Sequence, residues 1–327
     1  MSIRVAIVGA TGETGGSITN ALLESTDVKF WSQEVTALAR PESIQKPAYT
    51  ELKQRSVTIV PANLNGPQDD LVKVLRGIDV VVSAIAFTSL SDEIPLANAS
   101  KAAGVKRFVQ SALMVVIPPR GVVDFREKKD DILSHILKIR LPYTYIDAGW
   151  WYQIAFPRLP SGKIDYAIPS DYSGNLLGAD GNVPIALADI RDVGRYVARV
   201  IADPRTINKK VFVYSEVLPQ NQIYEAFEKA SGEKLERQYI SETELLSNIE
   251  AARSLANTNP ENSDAVRQFV KGQLLHSIAI RGDNTPENAE YLGYLDGKAL
   301  YPDFPYIKFD DFVGDLLIGK AKGVYNP

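Results

Sequence analysis

The segment Gly9-Ala10-Thr11-Gly12-Glu13-Thr14-Gly15 decides the fold of this chain. It follows an apolar run from Ile3 to Val8, which is typical of a buried strand, and it opens a helical stretch that continues to about Leu23. Glycines between a strand and a helix allow a tight turn, close approach of the backbone to a diphosphate and close helix–strand packing. The unpaired amides at the start of the helix favour phosphate groups. The segment therefore predicts a dinucleotide site that includes Gly9, Thr11, Gly12, Thr14 and Gly15.

The spacing of the glycines is less decisive than their place in the chain. The pattern G-x-x-G-x-x-G differs from the G-x-G-x-x-G of many dehydrogenases, and a glycine-rich turn that binds nothing is the alternative interpretation. A strand before the motif, a helix after it and its position near the start of the chain favour the dinucleotide.

Arg40 indicates which dinucleotide is bound. It closes the second predicted strand, Glu34 to Ala39, where NAD-binding proteins carry Asp or Glu for the ribose hydroxyls. A guanidinium suits the 2′-phosphate of NADPH, because its planar fork binds phosphate through two hydrogen bonds. A solvated arginine at a strand end is the alternative, and the glycine motif upstream favours NADPH.

The order of elements predicts an α/β fold of the Rossmann type, with a doubly wound parallel sheet. Short apolar runs alternate with helical stretches through the first half of the chain, which is the pattern of a parallel sheet covered by helices. After residue 150 aromatic residues and prolines cluster and the loops lengthen. We expect an NAD(P)-binding domain over 1–155 and a smaller, mostly helical substrate-binding region over 156–327, with about 183–215 returning to the first domain.

Composition excludes several classes of function. The 36 Lys and Arg residues are balanced by 40 Asp and Glu, and no basic block favours nucleic acid as a partner. Cysteine is absent and only two histidines occur, which argues against thiolate chemistry and a His-rich metal centre. No segment reaches the roughly 18 consecutive apolar residues of a membrane span. These features predict a soluble, cytoplasmic protein that binds no metal, and they leave open whether it is a monomer or a homodimer.

The sequence resembles the NmrA-like and isoflavone-reductase-like family of atypical short-chain dehydrogenase/reductase folds. The likeness covers nearly the whole chain and is carried by Ile7-Val8-Gly9-Ala10-Thr11-Gly12, Arg40, Val80-Val81-Val82-Ser83-Ala84, Gly104-Val105-Lys106-Arg107-Phe108-Val109, Leu141-Pro142-Tyr143-Thr144-Tyr145-Ile146, Ala188-Asp189-Ile190 and Leu300-Tyr301-Pro302-Asp303. Two further segments are similar to a fungal subgroup that is often tied to secondary metabolism: Pro118-Pro119-Arg120-Gly121 and Gly149-Trp150-Trp151-Tyr152-Gln153. Ala84, at the end of the fourth strand, is a further predicted cofactor contact.

The resemblance implies NADPH and an active-site lysine on the helix after the fifth strand. Lys128 takes that position in Asp124-Phe125-Arg126-Glu127-Lys128, with Lys129 beside it as the obvious alternative. A lysine there can hydrogen-bond the nicotinamide ribose and orient a water or a substrate oxygen. The family's acid after the fifth strand is missing from Gln110-Ser111-Ala112-Leu113-Met114, and no tyrosine proton donor can be assigned.

Residues at the ends of the fifth and sixth strands are predicted to contact the substrate. Ser111 lies at the carboxyl edge of the sheet, where open α/β sheets bind ligands, with a cap at the strand end as the alternative, and Met114 follows it. Trp150, Trp151 and Tyr152 are predicted to wall a pocket for a bulky apolar molecule, with packing between domains as the alternative.

The leading hypothesis is an NADPH-dependent reductase of a hydrophobic aromatic or polyketide-like small molecule in secondary metabolism. One rival is an NmrA-like regulator that senses the dinucleotide without turnover. A second rival is a cyclase or isomerase that performs no redox chemistry on the same fold, since Rossmann folds host many activities.

Overall fold

A computed structural model describes residues 3–25, 35–169, 176–259 and 261–325 of the chain. Within these ranges the strands are β1 (Val5–Val8), β2 (Val35–Ala39), β3 (Thr58–Pro61), β4 (Val80–Ser83), β5 (Arg107–Val109), β6 (Tyr143–Ala148), β7 (Trp150–Trp151), β8 (Leu176–Gly178), β9 (Pro184–Ala188), β10 (Lys209–Val213), β11 (Glu216–Pro219), β12 (Gln238–Ile240) and β13 (Tyr294–Asp296). Glu34, which was predicted to open the second strand, lies outside the described residues.

The helices alternate with these strands through the first half of the chain and dominate the second. They are α1 (Glu13–Glu24), α2 (Pro47–Gln54), α3 (Gln68–Leu75), α4 (Glu93–Ala102), α5 (Asp124–Lys138), α6 (Ile190–Ala202), α7 (Gln220–Ser231), α8 (Glu242–Thr258), α9 (Ser263–His276), α10 (Pro286–Tyr291), α11 (Gly297–Leu300) and α12 (Phe309–Leu317). A π-helical turn, Ser277–Arg281, follows α9. None of the helices in the described ranges is both long and apolar enough to cross a membrane.

The main sheet confirms the predicted α/β fold of the Rossmann type. In the described part of the chain it has eight parallel strands in the order β13-β10-β6-β5-β4-β1-β2-β3. The strands β1 and β4 are fully or almost fully buried, as expected for strands covered by helices on both faces. The chain moves outward from β1 on one side and from β4 on the other. Ligands of such sheets bind at this switch point, outside the carboxyl ends of the strands.

The second half of the chain contributes both to the main sheet and to a separate core. The strands β10 and β13 extend the main sheet, whereas β7, β9 and β11 form a three-stranded sheet and β8 pairs with β12. A second apolar cluster around Tyr152, Phe227 and Phe309 lies between these smaller sheets and α12. The division at residue 155 stays a prediction. Of the segment 183–215, α6 and β10 lie on the main sheet and β9 lies in the smaller one.

The helix α6 covers α1, the helix that begins at the glycine motif. The Ser17 hydroxyl on α1 donates a hydrogen bond to the Ile190 carbonyl at 2.6 Å. A Cβ placed on Gly194 of α6 would lie 2.3 Å from the Ser17 carbonyl oxygen, so only glycine permits the observed approach of the two helices. This contact fixes the position of the helix that follows the glycine motif.

Candidate active site at the carboxyl edge of the sheet

The glycine turn after β1 has a shape that only glycine can adopt. Gly9 has φ of +81°, and a Cβ there would lie 2.3 Å from the carbonyl oxygen of Ala84, at the end of β4. A Cβ on Gly15 would lie 2.0 Å from the Gly9 carbonyl oxygen. The turn is therefore pressed against the end of β4 at the switch point, as the close-packing role of such glycines requires.

The first turn of α1 is arranged to receive an anion. Gly12 is its N-cap residue, and no side chain caps the helix. Thr11 and Gly12 are exposed and Thr14 is half-buried, whereas Gly15 is buried behind them. An uncapped helix start with an exposed glycine at its tip brings backbone amides and the positive dipole end to a phosphate. These residues fit the diphosphate of a dinucleotide.

Arg40 stands at the neighbouring corner of the same edge. It directly follows β2, which pairs with β1, and it is exposed. A short 3-10 turn, Pro41–Ser43, begins after it and carries the chain away from the sheet. A guanidinium at the end of β2 fits the added phosphate that distinguishes NADPH from NADH.

The two adjacent lysines of α5 point in different directions. Lys128 is exposed, whereas Lys129 is only 4% exposed and lies on the face of α5 that packs against the sheet. The ammonium group of Lys129 donates to the carbonyl oxygen of Ser111, and to that of Ala112 at 3.1 Å. The geometry therefore moves the candidate lysine from Lys128 to Lys129.

Burial makes Lys129 an unusual lysine. Desolvation lowers its pKa to about 8, although the carboxylates of Glu93, Asp147 and Asp130 act in the opposite direction. Its ammonium also lies 5.3 Å from the centre of the Phe125 ring. A lysine with a pKa near 8 exists in both protonation states around neutral pH, which suits a group that donates or accepts a proton.

Ser111 lies beneath this lysine as a fixed part of the sheet edge. Its hydroxyl donates to the Ile85 carbonyl at 3.0 Å, after β4, and its amide donates to Glu93 Oε1 at 2.8 Å. The side chain is 5% exposed. Glu93 comes from the first turn of α4 and was not singled out from the sequence, because an acid at a helix start is usually read as a favourable dipole interaction.

The residues predicted to contact substrate differ in their burial and in their packing partners. Met114 and Trp150 are half-buried. Trp151 is 9% exposed, and its ring stacks on Tyr325 with centroids 6.1 Å apart. Tyr152 is fully buried, packs its ring edge-on against Phe309 and donates its hydroxyl to the Ile307 carbonyl at 3.1 Å. Tyr152 therefore packs inside the second apolar cluster.

A buried ion pair joins α5 to β6. Arg126 is 1% exposed and donates to Asp147 at 2.7 Å and to the hydroxyl of Tyr294 at 2.7 Å. Its Nε donates to Asp130 at 3.1 Å. Because both charges of the Arg126–Asp147 pair lie inside the protein, removal of either one leaves the other as a costly buried charge. The pair holds α5 against β6, one turn from Lys129.

Comparison with known proteins identifies the family of this chain. The model of the NmrA-like family matches residues 1–313. Asnovolin J 5′,6′-dehydrogenase of Aspergillus novofumigatus is 51% identical over 318 residues, which cover 97% of this chain and 96% of that protein. A probable pinoresinol-lariciresinol reductase of Arabidopsis thaliana is 30% identical over 96% of this chain and 97% of its own length.

A solved structure has the same fold over nearly its whole length. The binary complex of leucoanthocyanidin reductase with NADPH from Vitis vinifera superposes with a TM-score of 0.78, at 24% identity over 96% of this chain and 99% of that one. The match of the family model, together with the two relatives, confirms the resemblance stated from the sequence. The chain is a member of the NmrA-like family, with isoflavone-reductase-like relatives.

Proposed function

We propose that this protein is an NADPH-linked oxidoreductase of a hydrophobic, aromatic or polyketide-like small molecule of secondary metabolism. Relatives along the whole chain are named dehydrogenases and reductases, which supports an oxidoreductase. The fungal relative, at 51% identity, is named as a dehydrogenase, so the favoured direction of the reaction is a question for experiment.

The cofactor assignment rests on the fit of the glycine turn and Arg40. The first turn of α1 is uncapped and Gly12 is exposed, so amide groups are available to a diphosphate. Arg40 would hold the 2′-phosphate through charge-assisted hydrogen bonds. When bound, the nicotinamide supplies or accepts the hydride, and the protein supplies position and charge.

The buried Lys129 is the observation that carries the proposed chemistry. Its ammonium is held by the carbonyl groups of Ser111 and Ala112 at the carboxyl ends of the strands, where the switch point locates the ligand. In the reductive direction the charged Lys129 donates a proton to the substrate atom that gains electron density. In the oxidative direction the neutral amine accepts that proton. A pKa of about 8 permits both near neutral pH.

Apolar side chains near this edge support a hydrophobic substrate. Phe87, on the turn after β4, is 66% exposed, and its ring meets the edge of Phe125 with centroids 6.4 Å apart. Phe125 in turn lies beside the Lys129 ammonium. Met114 and Trp150 are half-buried on the segments that follow β5 and β6. We propose that these four side chains contact the substrate, since small-molecule sites are lined mainly by apolar and aromatic groups.

Absorbance of the reduced nicotinamide tests the proposal directly. Purified protein is incubated with NADPH and a panel of aromatic carbonyls and enones, and with NADP+ and the corresponding reduced compounds. Turnover in either direction, greater with NADPH than with NADH, supports the assignment. Tight binding of NADPH in calorimetry without turnover across the panel would favour a dinucleotide-sensing regulator. Conversion of a substrate without a change in absorbance would favour a cyclase or isomerase.

A further inference from the structure

Buried charged groups bind both the backbone amide and the backbone carbonyl of Ser111. Its amide donates to Glu93 Oε1 at 2.8 Å, and its carbonyl oxygen accepts a hydrogen bond from the ammonium of Lys129. Glu93 is 0% exposed and Lys129 is 4% exposed. A carboxyl from α4 and an amine from α5 thus bind the two successive peptide groups that flank the Cα of Ser111, just after β5.

The carboxyl of Glu93 is incompletely satisfied. Among the described residues its second oxygen, Oε2, has no partner with ordinary hydrogen-bond geometry. Burial raises the pKa of this carboxyl, while the Ser83 hydroxyl, the Ser111 amide and the charge of Lys129 act in the opposite direction. A buried carboxylate that lacks full hydrogen bonding is costly unless an opposite charge lies nearby. The nearby cation is Lys129, which favours the charged form of Glu93, as Glu93 favours the charged form of Lys129.

The geometry points to Glu93 as the positioning residue that keeps Lys129 protonated and holds it at the edge of the sheet. This inference rests on the proposed function, in which Lys129 exchanges a proton with the substrate. Glu93 does not contact the reacting atoms in this arrangement. It acts through the backbone of Ser111, whose amide it binds, and through its negative charge.

Other charged groups also face Lys129, and each has a further partner. Asp147, on β6, and Asp130, on α5, both pair with Arg126, which is itself a like charge to Lys129. For Glu93, by contrast, Lys129 is the one cation among the described residues whose charge lowers its pKa. Among the three carboxylates that act on Lys129, Glu93 is therefore the one whose negative charge is not also offset by Arg126.

Titration of the lysine side chains by NMR tests this inference without a need for turnover. Protein labelled with 15N at lysine Nζ is titrated as wild type, as Glu93→Gln and as the control Asp131→Asn, with the signal assigned by its absence in Lys129→Met. Glutamine retains an acceptor for the Ser111 amide but carries no charge. The carboxyl of Asp131 is 63% exposed on the same helix, so it matches the charge change outside the site.

We expect the pKa of Lys129 to fall by about one unit in Glu93→Gln and to stay unchanged in Asp131→Asn, since a nearby opposite charge shifts a pKa by roughly one unit or more. An equal pKa in wild type and Glu93→Gln would overturn the inference. Where turnover is measurable, the limb of the pH profile that reports Lys129 shifts in the same direction. Absence of turnover in the wild type would contradict the proposed function. That result is independent of the titration, which tests the role of Glu93.

A reciprocal measurement covers the case in which Glu93→Gln does not fold. Linkage requires that removal of the ammonium in Lys129→Met raise the pKa of the Glu93 carboxyl. Carboxyl 13C shifts of glutamate report this, with the Lys128→Met protein as the matched charge removal. A Glu93 pKa that is the same in wild type and in Lys129→Met would overturn the inference independently.

Discussion

Replacement of Lys129 by methionine, compared with the same replacement of Lys128, distinguishes the buried lysine from its exposed neighbour. Methionine has a similar length and no charge, so the change removes the ammonium and keeps most of the packing. The two variants lose the same formal charge. They differ only in whether the lost group lay at the carboxyl edge of the sheet or on the outer face of α5.

The expected magnitude follows from the ionisation of Lys129. With a pKa of about 8, roughly nine-tenths of the wild-type protein carries the ammonium at pH 7. Methionine therefore removes a proton donor that is almost fully present. General acid–base groups contribute about 10²- to 10⁴-fold to rate, so kcat/KM for reduction should fall at least about 100-fold, or about 2.7 kcal/mol. Lys128→Met should stay within about twofold, since it alters an exposed charge.

The assay follows NADPH absorbance at pH 7 with the best substrate of the panel, and calorimetry measures NADPH binding to each variant. Thermal unfolding shows whether each variant is folded. This control is needed because the carbonyl oxygens of Ser111 and Ala112 lose a hydrogen-bond donor in Lys129→Met. The reasoning is refuted if Lys128→Met loses activity while Lys129→Met keeps it. That result would return the role to the lysine that the family resemblance first indicated.

Three further changes have defined outcomes. Raising the pH through 8 should slow reduction, which needs charged Lys129, and accelerate oxidation, which needs the neutral amine; rate profiles in both directions check this, and parallel profiles would exclude it. Arg40→Ala should weaken NADPH binding about 10- to 100-fold in calorimetry and leave NADH unchanged; an equal loss for both would contradict the phosphate contact. Asp147→Asn should lower the free energy of unfolding by about 3–5 kcal/mol in urea, because the buried Arg126 loses its fully buried counter-charge and keeps only Asp130. Exposed Asp131→Asn should change it by less than about 1 kcal/mol.

The sheet could be predicted because its local patterns agree with its topology. The buried strand expected from Ile3 to Val8 is β1, and the helical stretch expected to continue to about Leu23 is α1, which ends at Glu24. Alternation of apolar runs with helical stretches needs no long-range information, and right-handed crossovers then leave few arrangements. The glycine motif predicted that the ligand site lies after β1, which is where the strand order reverses.

The burial of Lys129 could have been predicted from helical periodicity. Apolar residues of α5 that face the core include Ile132, Leu133 and Ile136, and Lys129 completes the i, i+3, i+4, i+7 pattern with them. Lys128 would instead share a face with Asp131, which is exposed. The resemblance placed the lysine by its neighbours in sequence, where a shift of one residue rotates a side chain by about 100° around the helix.

Glu93 and Tyr152 could not be placed from the sequence in the same way. The sequence after β5 lacks an acid, and the carboxyl that reaches Ser111 comes instead from α4, on a different element. Tyr152 follows two tryptophans, yet its ring enters the core with Phe309. Both outcomes depend on contacts between distant parts of the chain, which local pattern and propensity do not encode.

The close contact of α6 with α1 has a consequence for the synthesis of the protein. A ribosome that has completed residue 155 has produced the glycine turn, Arg40 and Lys129, but Ile190 and Gly194, which pack against Ser17, are still untranslated. Until they emerge, the face of α1 that contacts α6 stays uncovered in the nascent chain. Messages truncated before α6 should therefore yield polypeptides that chaperones and proteases remove, even though every residue proposed to grip the dinucleotide is present.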